Sequence, residues 1–307
     1  MYYPILRGKL NELLALRELA NLSVDKKFCP VIEPVRSSLA PLFRTIKELN
    51  DKEIVPLVFM NPTVGDLVGC SQNIINEFKK EEDLRFIPIF AVSDGVDGIS
   101  SLISQFTEYA LFLVDGLNAS IIDESSQAIL TFISSTTAPN LLKKLSRVVL
   151  YDDFFKKQKR NADYPIESPF SSLHTYYNDE ENGFKNVQGF GDYTILSEEY
   201  SESGGPAYVV TIHVTYINSE KYDEAFIRHY SSDYESDTPA NPGKKFIEAL
   251  GKFILEKRSE TINFLETSAC QDFERIFDAK HFPGLGQVKK ISIMHHIETI
   301  NDYLINN

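Results

Sequence analysis

The chain has 307 residues, 43% of them hydrophobic, and a formal net charge of -13. That length can bury one large α/β core, while the acidic balance disfavours nucleic acid and anionic lipid as partners. Cys29, Cys70 and Cys270 lie far apart with no CxxC spacing, which argues against a disulfide framework or a zinc–thiolate site. No apolar run approaches the roughly 18 residues of a membrane span. The opening MYYPILRGKL carries its charges after its apolar stretch, so the expectation is a cytoplasmic protein without a leader and without membrane association.

Short apolar runs that stop on a polar residue recur along the chain. PILRG ends on Arg7, PVIEPV carries Glu33, and PLVFMNP ends on Asn61; FIPIFAVSDG ends on Asp94, ALFLVDG on Asp115, and RVVLYDD on Asp152 and Asp153. Most of the intervals fit one strand plus one helix, as in successive βα units. Strands are expected at Tyr2–Leu6, Cys29–Pro34, Val55–Met60, Phe86–Val92, Ala110–Val114 and Val148–Tyr151. Helical spacing fills the gaps at residues 11–21, 40–49, 71–78 and 97–106, and at Asp123–Ile133 with Asp123 as N-cap. The runs VPLVF, IPIFAV and ALFLV lack polar alternation, as strands buried on both faces do.

The rhythm changes after Tyr151. Residues 156–190 are polar and aromatic and hold the basic cluster Lys156, Lys157, Lys159 and Arg160. A seventh strand is expected at Tyr193–Leu196, entered through Gly191-Asp192. The runs at 208–216 and 226–230 are expected to pair antiparallel, and one of them could complete a barrel. Residues 243–257 read as an amphipathic helix, 262–280 as helical, and ISIMHHIETINDYLI as a closing helix. The fold class expected is α/β, a (β/α)8 TIM-like barrel. It carries irregular insertions after strands 6 and 7 and an extra C-terminal helical segment. The whole chain, 1–307, reads as one barrel-like domain, with an insertion at 156–190, a loop and β-hairpin at 198–240, and a helical extension at 262–307.

In such a barrel the C-terminal strand ends meet at one mouth, where active sites sit. Glu33, Asp94, Asp115, Asp152 and Asp192 would converge there with Asn61 and His213. Glu33, Asp115 and Asp152 form a candidate oxygen-ligand set for a divalent cation such as magnesium, which could activate water for hydrolytic or lyase chemistry on a phosphate-containing small molecule. Arg7 would clamp the anion. Asp94 and Asp115, both before glycine, also suit ordinary turns. Glu33, between VI and PV, is harder to explain as a turn residue. His213 in TIHVTYI and Arg228 and His229 in IRHYSSD could bind an anion or share a proton across neighbouring strands. Glu33, Asp115, His213 and His229 are therefore the catalytic candidates; Arg7, Asn61, Asp94, Asp152, Asp192 and Arg228 are ligand-binding candidates. Lys245, near a helix start beside Lys244, is a further ligand-binding candidate for phosphate, with simple surface solvation as the alternative. SESGGPAY matches no phosphate-loop or nucleophile-elbow pattern, and HHIE is not a metal-binding HExxH.

The phrases YPILRGKLNELLALREL, PVIEPVR and GFGDYTILSEEYSESGGPAYVVTIHVTYI, with IRHYSSD, PGKKFIEAL, TSACQDFERI and HFPGLGQVKKISIMHHIE, resemble the bacterial sce7725 family. That family is more distantly similar to the "beta protein" family of bacteria and phages. The resemblance implies no catalytic residue. It implies a protein partner, the product of a neighbouring sce7726-like gene in mobile or defence-type surroundings. A non-catalytic barrel that binds such a partner is the alternative to an enzyme.

Overall fold

The structure is a computed structural model that describes residues 1–93, 95–114, 119–178, 185–202, 204–205 and 207–307. The chain forms two compact units: Met1–Asp153 with Tyr176–Tyr193, and Phe154–Thr175 with Thr194–Asn307.

The first unit is a closed eight-stranded parallel barrel. In chain order its elements are β1 (Tyr2–Leu6), α1 (Leu10–Asn21), β2 (Val31–Ile32), α2 (Ala40–Asn50), β3 (Leu57–Phe59), α3 (Ser71–Phe78), β4 (Ile87–Val92), α4 (Ser100–Ile103), β5 (Ala110–Leu113), α5 (Ala119–Ser125), β6 (Leu130–Ser134), α6 (Pro139–Leu142) and β7 (Val148–Asp152). After β8 (Glu167–Ser171), which belongs to the second unit, β9 (Val187–Asp192) pairs in parallel with both β7 and β1 and closes the ring. The architecture is that of a (β/α)8 TIM-like barrel. Its helices bury one face each, as with Leu42, Ile46 and Leu49 of α2 and Ile74, Ile75 and Phe78 of α3.

One apolar cluster takes alternate residues of the strands: Tyr3 and Ile5, Leu57 and Phe59, Ile89 and Ala91, Ala110 and Phe112, Leu130 and Phe132, Val149 and Tyr151. Period-two alternation makes these the inward-facing positions. Aromatic rings interlock there, with Phe112 4.2 Å from Tyr151 and 5.8 Å from Phe132 between centroids.

Two strands lie where the sequence patterns point elsewhere. Residues 123–133 read as one helix, but α5 ends at Ser125 and β6 begins at Leu130. Isoleucine and leucine at helical spacing mask a five-residue strand, LTFIS, too short to display its own period. The barrel's eighth strand is VQGFGD rather than Tyr193–Leu196 or either β run of the hairpin, so the expected sixth strand is β7. Glycines weaken a strand signal, yet here they are required. A Cβ on Gly191 would sit 2.6 Å from the Tyr3 carbonyl oxygen, and one on Gly189 would strike the Tyr3 ring. Gly191→Ala is therefore expected to prise β9 from β1 and to cost about 1–3 kcal/mol. Amide exchange of β1 and β9 checks this: both should lose protection while β3 and β4 keep theirs.

The second unit holds a three-stranded antiparallel sheet of order β10 (Thr211–Asn218), β11 (Glu224–Ser231), β8, with α7 (Pro242–Arg258), α8 (Ser268–Asp278) and α9 (Leu285–Asn306). The β10–β11 pairing is antiparallel, with His213 opposite His229. α9 is buried around most of its circumference, and its Glu298 accepts from the Ser268 backbone N–H and hydroxyl, both at 2.8 Å, at the start of α8. Among the described residues no helix is long and apolar enough to cross a membrane.

Candidate functional site

Inward parity continues from Tyr3 and Ile5 to Arg7, from Val31 to Glu33, and from Phe59 to Asn61, so these three side chains stand above the core at the C-terminal strand ends. Glu33 is 1% exposed and Arg7 8%. The Arg7 guanidinium pairs with Glu33 Oε2 and lies 5.1 Å from the centre of the Tyr193 ring. Glu33 Oε1 accepts from the backbone N–H of Thr63 at 2.5 Å and from its hydroxyl at 2.9 Å. Arg7's own backbone N–H donates to Glu12 Oε2 at 2.6 Å.

The Asn61-Pro62-Thr63 segment explains how this cap arises. Asn61 Nδ2 donates to the Ala91 carbonyl and its Oδ1 accepts from the Ala91 N–H, both at 2.8 Å, so the side chain extends the sheet between β3 and β4. Proline then turns the chain, and Thr63 delivers two donors to Glu33. Sequence reasoning passed over Thr63; its signal was the N-P-T run directly after a strand.

Asp152 and Asp192 fall on the opposite parity. Asp152 Oδ2 accepts from the hydroxyls of Ser134 at 3.0 Å and Ser135 at 2.9 Å. Asp192, buried, accepts from the Tyr2 hydroxyl at 2.7 Å. Burial foremost, and then the carboxylate beside it, push the Tyr2 phenol well up. Asp94 and Asp115 lie outside the described residues. Among the described residues no three of His, Cys, Asp and Glu gather as a metal-binding group. Glu33 and Asp152, the two candidate metal ligands that are described, each already accept the protein hydrogen bonds given above.

Beside the Arg7–Glu33 pair, a cavity of about 420 Å3 opens between the first two βα loops. Lys9, Asn11, Arg36 and Ser38 supply its polar lining, and Leu13 and Leu39 part of its apolar wall. α1 and α2 begin at this cavity, and neither start has a side-chain cap. Amide groups at helix starts attract negative charge.

His213 and His229 belong to the second unit. Their Nδ1 atoms are 2.8 Å apart, and His229 Nε2 is 2.9 Å from the Ser168 hydroxyl on β8. The Tyr164 ring stacks on His229 at 4.8 Å and meets His213 edge-on at 4.7 Å; Phe155 meets His213 edge-on at 5.0 Å. Burial lowers the pKa of both imidazoles, that of His229 to about 4 with Arg228 adding to the effect, and that of His213 well below the ordinary value with His229 and Lys289 adding.

Arg228 faces the other side of the sheet, where it pairs with both oxygens of Glu256 and lies 3.6 Å from Glu167. Lys245 has no exposed surface, and its ammonium donates to the carbonyls of Ala207 at 3.2 Å, Tyr208 at 2.8 Å and Thr238. Cys270 and His295 are also fully buried, with Sγ and Nδ1 3.5 Å apart and His295 Nε2 on the Thr215 carbonyl at 2.7 Å. No family model matches the chain, and comparison with curated proteins and with solved structures found no match either.

Proposed function

We propose that the barrel binds a small anionic molecule of the phosphate-bearing class in the cavity between its first two βα loops. One observation carries the reading: a cavity of about 420 Å3, lined by Lys9 and Arg36, opens where two helices start without side-chain caps. Its size falls in the range of small-molecule sites, and its place at the C-terminal end of a barrel is where such folds seat ligands. The apolar wall suits the non-ionic part of the ligand. Metal-assisted hydrolysis has less support, because Glu33 and Asp152, two of the carboxylates named for it, fall on opposite strand parities and are held by separate protein donors. The reading is therefore one of binding.

A second reading has its own observation. Ile166, Tyr208, Tyr222 and Tyr234 of the second unit are exposed, Tyr222 at 96%, which favours a protein partner. That fits the partner implied by membership in the sce7725 family, which we propose on the strength of the phrases quoted above.

The test is thermal unfolding in inorganic phosphate and a panel of sugar phosphates, against chloride at equal ionic strength. Ligand at about 100 times its Kd stabilises by about 2.7 kcal/mol, a rise of several degrees. The Lys9→Ala, Arg36→Ala double variant should lose that rise. No rise in the wild type, or an equal rise in the variant, would overturn the proposal.

A further inference from the structure

The small sheet of the second unit brings together a hydroxyl and two imidazoles that the barrel reading does not use. Ser168 on β8, His229 on β11 and His213 on β10 form an unbroken line: Ser168 Oγ to His229 Nε2 at 2.9 Å, then His229 Nδ1 to His213 Nδ1 at 2.8 Å. Two facing Nδ1 atoms can bond only if one carries hydrogen and the other a lone pair. When His229 holds its proton on Nδ1 and donates to His213, its Nε2 is free to accept from Ser168. A base oriented by a third group and touching a hydroxyl is the arrangement that activates a serine. Tyr164 and Phe155 pack on the two rings and hold them in place.

Ser168 is half-buried and sits on an edge strand, since β8 is the last in the order β10-β11-β8. Ile166, two positions before it and of the same parity, is 72% exposed, so an acyl chain has an apolar contact on the side of the hydroxyl.

We propose that Ser168 is a nucleophile towards small carboxylic esters, with His229 as its general base and His213 as the residue that positions His229. Ser168 Oγ bonds to the acyl carbon while its proton passes to His229 Nε2, and His229 Nδ1–H keeps its bond to His213. The carbon–alkoxy bond breaks, and the alcohol leaves with the proton returned from Nε2. Water then repeats the sequence on the acyl-serine, freeing the carboxylic acid and restoring the serine. The burial-lowered base, with Arg228 adding to the effect on His229 and Lys289 to that on His213, stays neutral down to about pH 4, so the reaction should be half-maximal there rather than near 6.5.

A fluorophosphonate probe tests this, because it bonds to an activated serine with loss of fluoride. Intact-mass measurement should show one adduct on the wild-type chain and none on Ser168→Ala, and hydrolysis of p-nitrophenyl butyrate should fall at least tenfold in that variant. His213→Phe should label at least tenfold more slowly, and His213→Gln, which keeps an acceptor for Nδ1–H, should recover part of the loss. Melting curves establish that each variant is folded. A wild-type chain that takes no adduct, or an adduct that persists in folded Ser168→Ala, overturns the proposal. The outcome is independent of the anion cavity, which lies in the other unit.

Discussion

Replacing Arg7 with alanine is expected to destabilise the barrel unit by about 3–5 kcal/mol. Glu33 is 1% exposed, and Arg7 is its cationic partner on Oε2, while Thr63 supplies two neutral donors to Oε1. Taking the guanidinium away leaves a carboxylate buried with Thr63 as its remaining capping residue, and a buried charge without its counter-charge is among the most costly defects a core can hold. The pair itself has little net worth, because removing two ions from water offsets most of their attraction. The Arg7→Met, Glu33→Leu double variant should therefore recover most of the loss, although each partner alone is needed. The two compact units make a single unfolding free energy ill-defined, so the measurement is amide exchange of β1–β3 peptides across a urea series. Arg7→Ala within about 1 kcal/mol of wild type would refute the account, since it would mean that water already solvates Glu33.

Acidification is expected to weaken the second unit between pH 6.5 and 4. In the unfolded chain His229 titrates near 6.5; folded, burial and the neighbouring Arg228 hold it to about 4. Unfolding therefore takes up a proton throughout that window, and stability falls as pH falls. The contribution is complete above 6.5 and lost once pH has passed below 4. For His229 it amounts to about 3 kcal/mol, and His213, lowered in the same direction, adds to it. Ser168, Tyr164 and Phe155 around the pair bring no compensating charge, and Arg228 and Lys289 act against protonation. Exchange protection of β10 and β11 should drop steeply from pH 7 to 4.5 in the wild type. It should drop less in a His213→Phe, His229→Phe variant; equal slopes would remove the histidines from the explanation.

The barrel was legible because parallel strands covered on both faces read as unbroken apolar runs, as VPLVF, IPIFAV and ALFLV do, and these stood at βα spacing. LTFIS was hidden because five residues cannot display a period against a neighbouring helix. VQGFGD was hidden because its glycines answer to Tyr3, a residue near the other end of the barrel sequence. The candidate site was legible in part for a related reason. Parity alone carries Arg7, Glu33 and Asn61 inward with the core residues two and four places before them, and the same count turns Asp152 and Asp192 away. The His213–His229 contact follows from the register of a hairpin whose strands are close in sequence. Ser168 and Thr63 could not be found that way, because each reaches its partner from a separate segment.

The way the chain alternates between its units has a bearing on synthesis. Seven barrel strands leave the ribosome before Phe154, but the strand that joins β7 to β1 comes only after a stretch belonging to the other unit, and Tyr2 meets Asp192 across 190 positions of sequence. Until then two strand edges of the nascent sheet stand open. Open edges invite pairing with other chains, and contacts so distant in sequence form slowly. Translation speed through residues 154–192, rather than the stability of the finished protein, is therefore expected to govern how much of it reaches the cell in usable form.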